Sequence, residues 1–158
     1  KTALCEALAR HYRTVWVPEY AREYFNDSDI YNYTLEDLVT IAREQLIRET
    51  QLLRDANRIL FSDTTLVTLK IWAELEFETT PDFIKQKLGE ERYDHYFLTD
   101  NSVNWQADPL RQNKHSRDLL FEMNAFELKK LGADYTVITG LDEQRLEQAV
   151  TVIDKKFF

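Results

Sequence analysis

Apolar residues along this chain fall into two kinds of stretch, one repeating every three to four positions and one running unbroken over a few residues. Leu4, Ala7, Leu8 and Tyr12 share a helical face while Glu6, Arg10 and Arg13 lie on others, which predicts a helix over Thr2 to Arg13. Thr14-Val15-Trp16-Val17 is a β-rich run stopped by Pro18, and a second helix is expected over Glu19 to Phe25. Asn26-Asp27-Ser28-Asp29 has turn chemistry. Thr34, with Asp37 three residues on, opens a long amphipathic helix. Its Leu35, Leu38, Ile41, Ala42, Leu46, Leu52 and Leu53 carry it to about Asn57.

Ile59-Leu60-Phe61 reads as a buried strand ending in Ser62-Asp63, and Leu66, Leu69, Ile71 and Trp72 mark the helix after it. Pro81 suits the first turn of a helix that closes at Gly89. A strand over His95 to Thr99 leads into a polar stretch from Asp100 to about Ser116. A helix from Arg117 to Leu131 ends at Gly132, Tyr135 to Thr139 forms another strand, and a last helix covers Asp142 to Lys156. This alternation predicts an α/β fold with a parallel sheet and helices on both faces, because each right-handed crossover needs its own helix. Ligands of such sheets bind at the carboxyl ends of the strands. Four strands are visible, and the one that would feed the first helix is absent.

Composition narrows the function classes. The 158 residues fit one domain, taken as 1–158. Twenty Lys and Arg against 28 Asp and Glu leave a charge of −8, which argues against nucleic-acid binding by this domain. An apolar share of 44% can build a core, so disorder is excluded. Cys5 is the single cysteine, which rules out an internal disulfide framework and suits a reducing compartment. His11, His95 and His115 are scattered without zinc-ligand spacing. No apolar run approaches the roughly 18 residues a membrane span needs. A soluble cytoplasmic protein is therefore expected, with no membrane partner and an open oligomeric state. Only three glycines occur, and the chain opens with Lys1 inside a helical pattern. Both features lead to the expectation that a glycine-rich stretch precedes Lys1 in the full gene product.

Four places carry candidate chemistry. Lys1-Thr2, just before a helix, stands where G-x-x-x-x-G-K-[ST] ends, with the Lys for phosphates and the hydroxyl for Mg²⁺. A charged terminus with a Thr cap is the plainer account of that dipeptide. Asp63 ends an apolar strand, where it serves either as a carboxylate beside a metal or attacking hydroxyl, or as a helix N-cap. Glu19-Tyr20-Ala21-Arg22-Glu23 follows a strand and offers acid, phenol and guanidinium to a hydroxylated ligand, or else forms a charged helix start. The polar stretch holds Asp108-Pro109-Leu110-Arg111, Lys114 and Arg117, the cations a lid would lower over a transferring group; a solvated loop is the alternative. Trp105 lies in polar surroundings suited to stacking, whereas Phe61, Trp72 and Phe77 read as core.

In order and spacing these stretches resemble the kinase-like P-loop domains that include the ribosylnicotinamide kinase domain of the bacterial NAD-biosynthesis regulator. The resemblance rests on Lys1-Thr2 with its helix, Pro18 to Phe25, Leu60-Phe61-Ser62-Asp63-Thr64 and Asn104 to Arg111, which together span most of the chain. It implies a three-layer P-loop NTPase of nucleoside- or nucleotide-kinase type, with the first strand and most of the P-loop lying outside this chain and a lid over residues 100–117. It further implies ATP, Mg²⁺ and transfer of the γ-phosphoryl group to a small-molecule hydroxyl. Lys1 and Thr2 would bind ATP, with Thr2 and Asp63 at the metal and Asp63, Arg111 and Arg117 catalytic. Glu19, Tyr20, Arg22 and Trp105 would line the acceptor site. One position departs from the family: the aromatic that stacks on nicotinamide is replaced by Pro18.

The leading expectation is thus an ATP-dependent kinase acting on a nucleoside such as nicotinamide riboside. The alternative is an ATP-binding regulatory module without kinase turnover, and a structural α/β domain that has lost nucleotide binding is a third possibility.

Overall fold

Among the described residues both strand pairings are parallel, so the chain crosses back through helices between paired strands. The computed structural model describes residues 1–26, 32–90, 93–101 and 117–158. Its first half runs α1 (Thr2–Tyr12), β1 (Trp16–Val17), α2 (Tyr20–Tyr24), α3 (Leu35–Leu52) and β2 (Phe61–Ser62). The second half runs α4 (Leu66–Phe77), α5 (Asp82–Leu88), β3 (Tyr96–Thr99), α6 (Arg117–Lys130), β4 (Tyr135–Ile138) and α7 (Asp142–Phe157). Strands pair in two ladders, β1 with β2 and β3 with β4. Trp16 lies opposite Phe61 in the first, and Tyr96 opposite Tyr135 in the second. Of the expected polar stretch only Asp100 and Asn101 are among the described residues; Trp105, Arg111 and Lys114 lie outside them.

The period-two alternation of the strands separates two helical layers. Phe97 and Ile138 face α1 and α7, packing with Leu4, Leu8, Phe61, Ala149 and Ile153. Tyr96, Leu98 and Tyr135 point the other way, against Val67 and Ile71 of α4 and Leu128 of α6. A third cluster joins α2, α3, α4 and α5 through Ala21, Leu38, Ile41, Leu69 and Ile84. The result is the three-layer α/β arrangement that the alternation predicts.

The helix α3 stops at Leu52, about five residues earlier than its apolar pattern suggests. Leu53 has no core to enter and stays 62% exposed. Tight bonds from Arg54 N to Gln51 O and from Asp55 N to Leu52 O close the last turn. The chain then leaves, and Asn57 N donates to Thr14 Oγ1 beside the first ladder. The strand pairing of β2 correspondingly begins at Phe61 rather than Ile59.

The start of α3 is a capping box. Asp37 N donates to Thr34 Oγ1, and Thr34 N donates back to Asp37 Oδ2 at 2.6 Å. The Tyr24 hydroxyl also donates to Asp37, and with the Thr34 donors it holds the Asp37 carboxyl below its ordinary range. Replacing Thr34 with Ala is expected to cost about 1 kcal/mol of stability. Urea unfolding measures this; an unchanged midpoint would show that the box is not holding the helix.

Candidate functional site

Lys1, Glu19 and Asp63 meet because each stands at an element boundary facing one sheet edge. Lys1 caps the start of α1, Glu19 follows β1 by two residues, and Asp63 follows β2 directly. Asp63 N donates to Val17 O at 2.9 Å, which extends the ladder by one bond and fixes where the carboxylate leaves the strand.

The Lys1 ammonium bridges the two acids, 2.8 Å from Glu19 Oε2 and 3.0 Å from Asp63 Oδ1. The Thr2 hydroxyl donates to Asp63 Oδ2 at 2.5 Å. Arg22 Nε lies 3.0 Å from the same Glu19 oxygen. The site therefore holds two cations against two carboxylates, and Asp63 within it is only 1% exposed. A carboxylate that far from water needs its charge met locally, which Lys1 and Thr2 do.

Thr64, the next residue, adopts φ 101°, an outlying conformation for a β-branched side chain. Its hydroxyl is buried with no hydrogen-bond partner among the described residues. Such strain costs about 1–3 kcal/mol and persists where surrounding structure over-determines it, as it does in many functional sites.

Behind this edge lies a polar network that the apolar pattern alone conceals. Gln45 and Glu49 of α3 are buried, 1% and 7% exposed. Gln45 Oε1 accepts from Tyr20 N at 2.9 Å, and its Nε2 lies 3.4 Å from Ser62 Oγ. Ser62 Oγ and the Tyr93 hydroxyl both donate to Glu49 Oε1, at 2.8 and 2.7 Å. The signal was present in the sequence: both residues follow Leu38, Ile41 and Ala42 at helical spacing, so they fall on the buried face.

Of the other expected site residues, Tyr20 stands beside the cluster with the Arg48 guanidinium 4.3 Å above its ring. Arg48 is held there by paired bonds to the Glu23 carboxylate, both at 2.7 Å. Arg117 begins α6 and donates from Nη2 to Asn101 O, just past the end of β3. Trp105 and Arg111 lie outside the described residues.

Cys5, one turn into α1, has its thiol pushed up to about 12, first by burial and then by the Asp63 carboxylate. The thiolate that iodoacetamide needs is therefore disfavoured at pH 8. Iodoacetamide is thus expected to leave Cys5 intact in the folded protein and to alkylate it in denaturant; rapid alkylation of the native state would contradict this packing.

The fold and the Lys-Thr helix start facing a strand-end carboxylate define the class: an α/β domain of the P-loop, nucleotide-binding kind. The AAA domain family matches residues 1–145, and the chain belongs to that family. It is similar to the trifunctional NAD biosynthesis/regulator protein NadR of Salmonella typhimurium, 28% identical over 134 residues. NadR of Escherichia coli strain K12 shows the same identity over the same length. Each match covers 78% of this chain and 32% of the relative, so the chain spans about a third of the relatives' length. A crystal structure of NadR protein in complex with NR superposes with a TM-score of 0.76 at 20% identity. That likeness, over 97% of this chain and 45% of the other, is one of fold. No helix among the described residues is long and apolar enough to cross a membrane.

Proposed function

We propose that this domain transfers the γ-phosphoryl group of ATP to a hydroxyl of a small nucleoside, with nicotinamide riboside the first acceptor to test. The observation that carries the reading is the Lys1 ammonium at the start of α1, held between Glu19 and Asp63 while Thr2 bonds to Asp63. Similarity to proteins named for NAD biosynthesis supports the choice of acceptor.

The donor set fits a hard divalent ion completed by phosphates and water. Magnesium takes oxygen ligands, commonly one or two from protein, and Thr2 Oγ1 and Asp63 offer a hydroxyl and a carboxylate side by side. Among the described residues no cluster of three or more His, Cys, Asp or Glu offers an alternative all-protein cage. Thr2 and Asp63 would hold the ion, which when bound supplies charge neutralisation on the phosphates.

The chain's own residues would do the rest. Lys1 exchanges its two carboxylates for phosphate oxygens, a swap of anionic partners that costs little in desolvation. Asp63 receives the proton of the attacking hydroxyl as the new O–P bond forms and ADP departs. Glu19 and Arg22 bind acceptor hydroxyls at the rim, and Arg111 and Arg117 supply lid cations that stabilise the transferring charge. Tyr20, whose ring carries Arg48, contributes an edge or its hydroxyl rather than a second stacking face. Such a kinase would work in the cytoplasm, where ATP is abundant.

ADP release from Mg-ATP by the full-length protein, followed against a panel of nucleosides that includes nicotinamide riboside, tests this reading. Stimulation by one acceptor supports it and names the substrate. Tight Mg-ATP binding with no stimulated release would instead assign a nucleotide-sensing module.

A further inference from the structure

A single buried amide connects the two acids that hold Lys1. Glu19 precedes Tyr20 and Asp63 follows Ser62, and Gln45 touches both neighbours. Its carbonyl oxygen takes the Tyr20 N–H at 2.9 Å, and its amide nitrogen faces Ser62 Oγ at 3.4 Å. Ser62 is held in turn by Glu49 at 2.8 Å, and the same hydroxyl lies 3.0 Å from Thr64 O, across the strained turn that aims Asp63. Glu49 is anchored from outside by the Tyr93 hydroxyl.

We propose that Gln45, braced through Ser62 by Glu49, is a positioning residue that sets the gap between Glu19 and Asp63 and so the placement of the Lys1 ammonium. The proposal deepens the reading of the site given above and rests on it. Its physical basis is directional. The shorter bond fixes the start of α2, where a five-residue helix has little stability of its own. The longer contact is weak by itself and gains from the chain of donors that ends on a carboxylate. The amide and the carboxylate are buried on the helix face that also carries Leu38, Ile41, Ala42 and Leu46, and the Ser62 hydroxyl between them is half-buried. An apolar residue at position 45 would fill that space as well and would leave the Tyr20 N–H unpaired.

The test uses full-length protein and two readouts. The first is the rate at which an acylating reagent modifies Lys1 Nζ, measured by mass spectrometry against exposed Lys85 as internal reference; it needs no turnover. The second is the split between kcat and KM for Mg-ATP. Gln45→Leu is expected to raise the Lys1 rate several-fold and to lower kcat about a hundredfold, with KM within about twofold of wild type. Glu49→Gln, which keeps an oxygen acceptor for both hydroxyls, is expected to retain the Lys1 protection that Glu49→Leu loses. Ile41→Val thins the same helix face without touching these bonds and controls for lost stability.

An unchanged Lys1 rate in folded Gln45→Leu would overturn the proposal, as would an equal rise in Ile41→Val. Should Gln45→Leu fail to fold, Ser62→Ala cuts the Asp63 side alone, and unchanged Lys1 protection there is equally decisive. Absence of acceptor-dependent turnover in the wild type would remove the kinase reading and leave the Lys1 rate to judge the amide.

Discussion

Lys1→Ala in the full-length protein is expected to lower acceptor-dependent turnover by about a thousandfold, the usual loss when one preorganised stabiliser of transition-state charge is removed. The geometry explains why the effect should fall on chemistry more than on folding. Without nucleotide, the ammonium neutralises Glu19 and Asp63 together, at 2.8 and 3.0 Å. Its loss leaves two facing carboxylates, one of them 1% exposed, although Thr2 still donates to Asp63. With Lys1 half-exposed and Asp63 buried, the stability cost should be about 1–3 kcal/mol, between that of an exposed pair and that of a fully buried one. A melting curve recorded beside the kinetics separates the two effects. Turnover near wild type in a folded Lys1→Ala protein would remove Lys1 from the site.

Asp63→Asn is the second large effect. The amide has the same shape and keeps an acceptor for the Thr2 hydroxyl, so the β2 edge and the start of α4 should persist. What disappears is a charge for the metal and a base for the acceptor proton, and turnover should fall by about a hundred- to ten-thousandfold. Raising Mg²⁺ distinguishes the roles: recovery at high metal assigns the loss to metal binding, and a fixed deficit assigns it to proton transfer. The Cys5 thiol also loses one of the influences holding it up, while its burial remains. Asp63 does not cap α4, whose N-cap is Thr65, so activity within about threefold of wild type would leave Asp63 as a structural partner of Lys1 and Thr2 and no more.

Much of this was legible in the sequence because it depends on local order. The period of Leu4, Leu8 and Tyr12, the Thr34–Asp37 cap and the Gly132 stop, which takes φ 66°, are each set within a few residues. Lys1, Glu19 and Asp63 could be placed at one edge because parallel strands put their carboxyl ends together. Other features depend on residues far apart in the chain. The early end of α3 follows from Thr14 taking the Asn57 N–H, a contact across 43 positions. Tyr20, expected to line the acceptor site, has one ring face taken by Arg48 of α3, a residue 28 positions away that local order does not bring near. Gln45 and Glu49 lie on the apolar face of α3, and their partners Tyr20, Ser62 and Tyr93 come from other parts of the chain. Polar residues at helical spacing on a buried face therefore mark such networks, since burial without a partner is too costly to be idle.

The most direct measurement is label transfer. ATP carrying γ-³²P, with Mg²⁺ and nicotinamide riboside, is incubated with full-length wild type and with Lys1→Ala, and the products are separated. Label is expected in a phosphorylated nucleoside with the wild type and none above background with the variant. Label found only in residual ATP or as inorganic phosphate, with this and every other nucleoside tried, would contradict the proposed transfer.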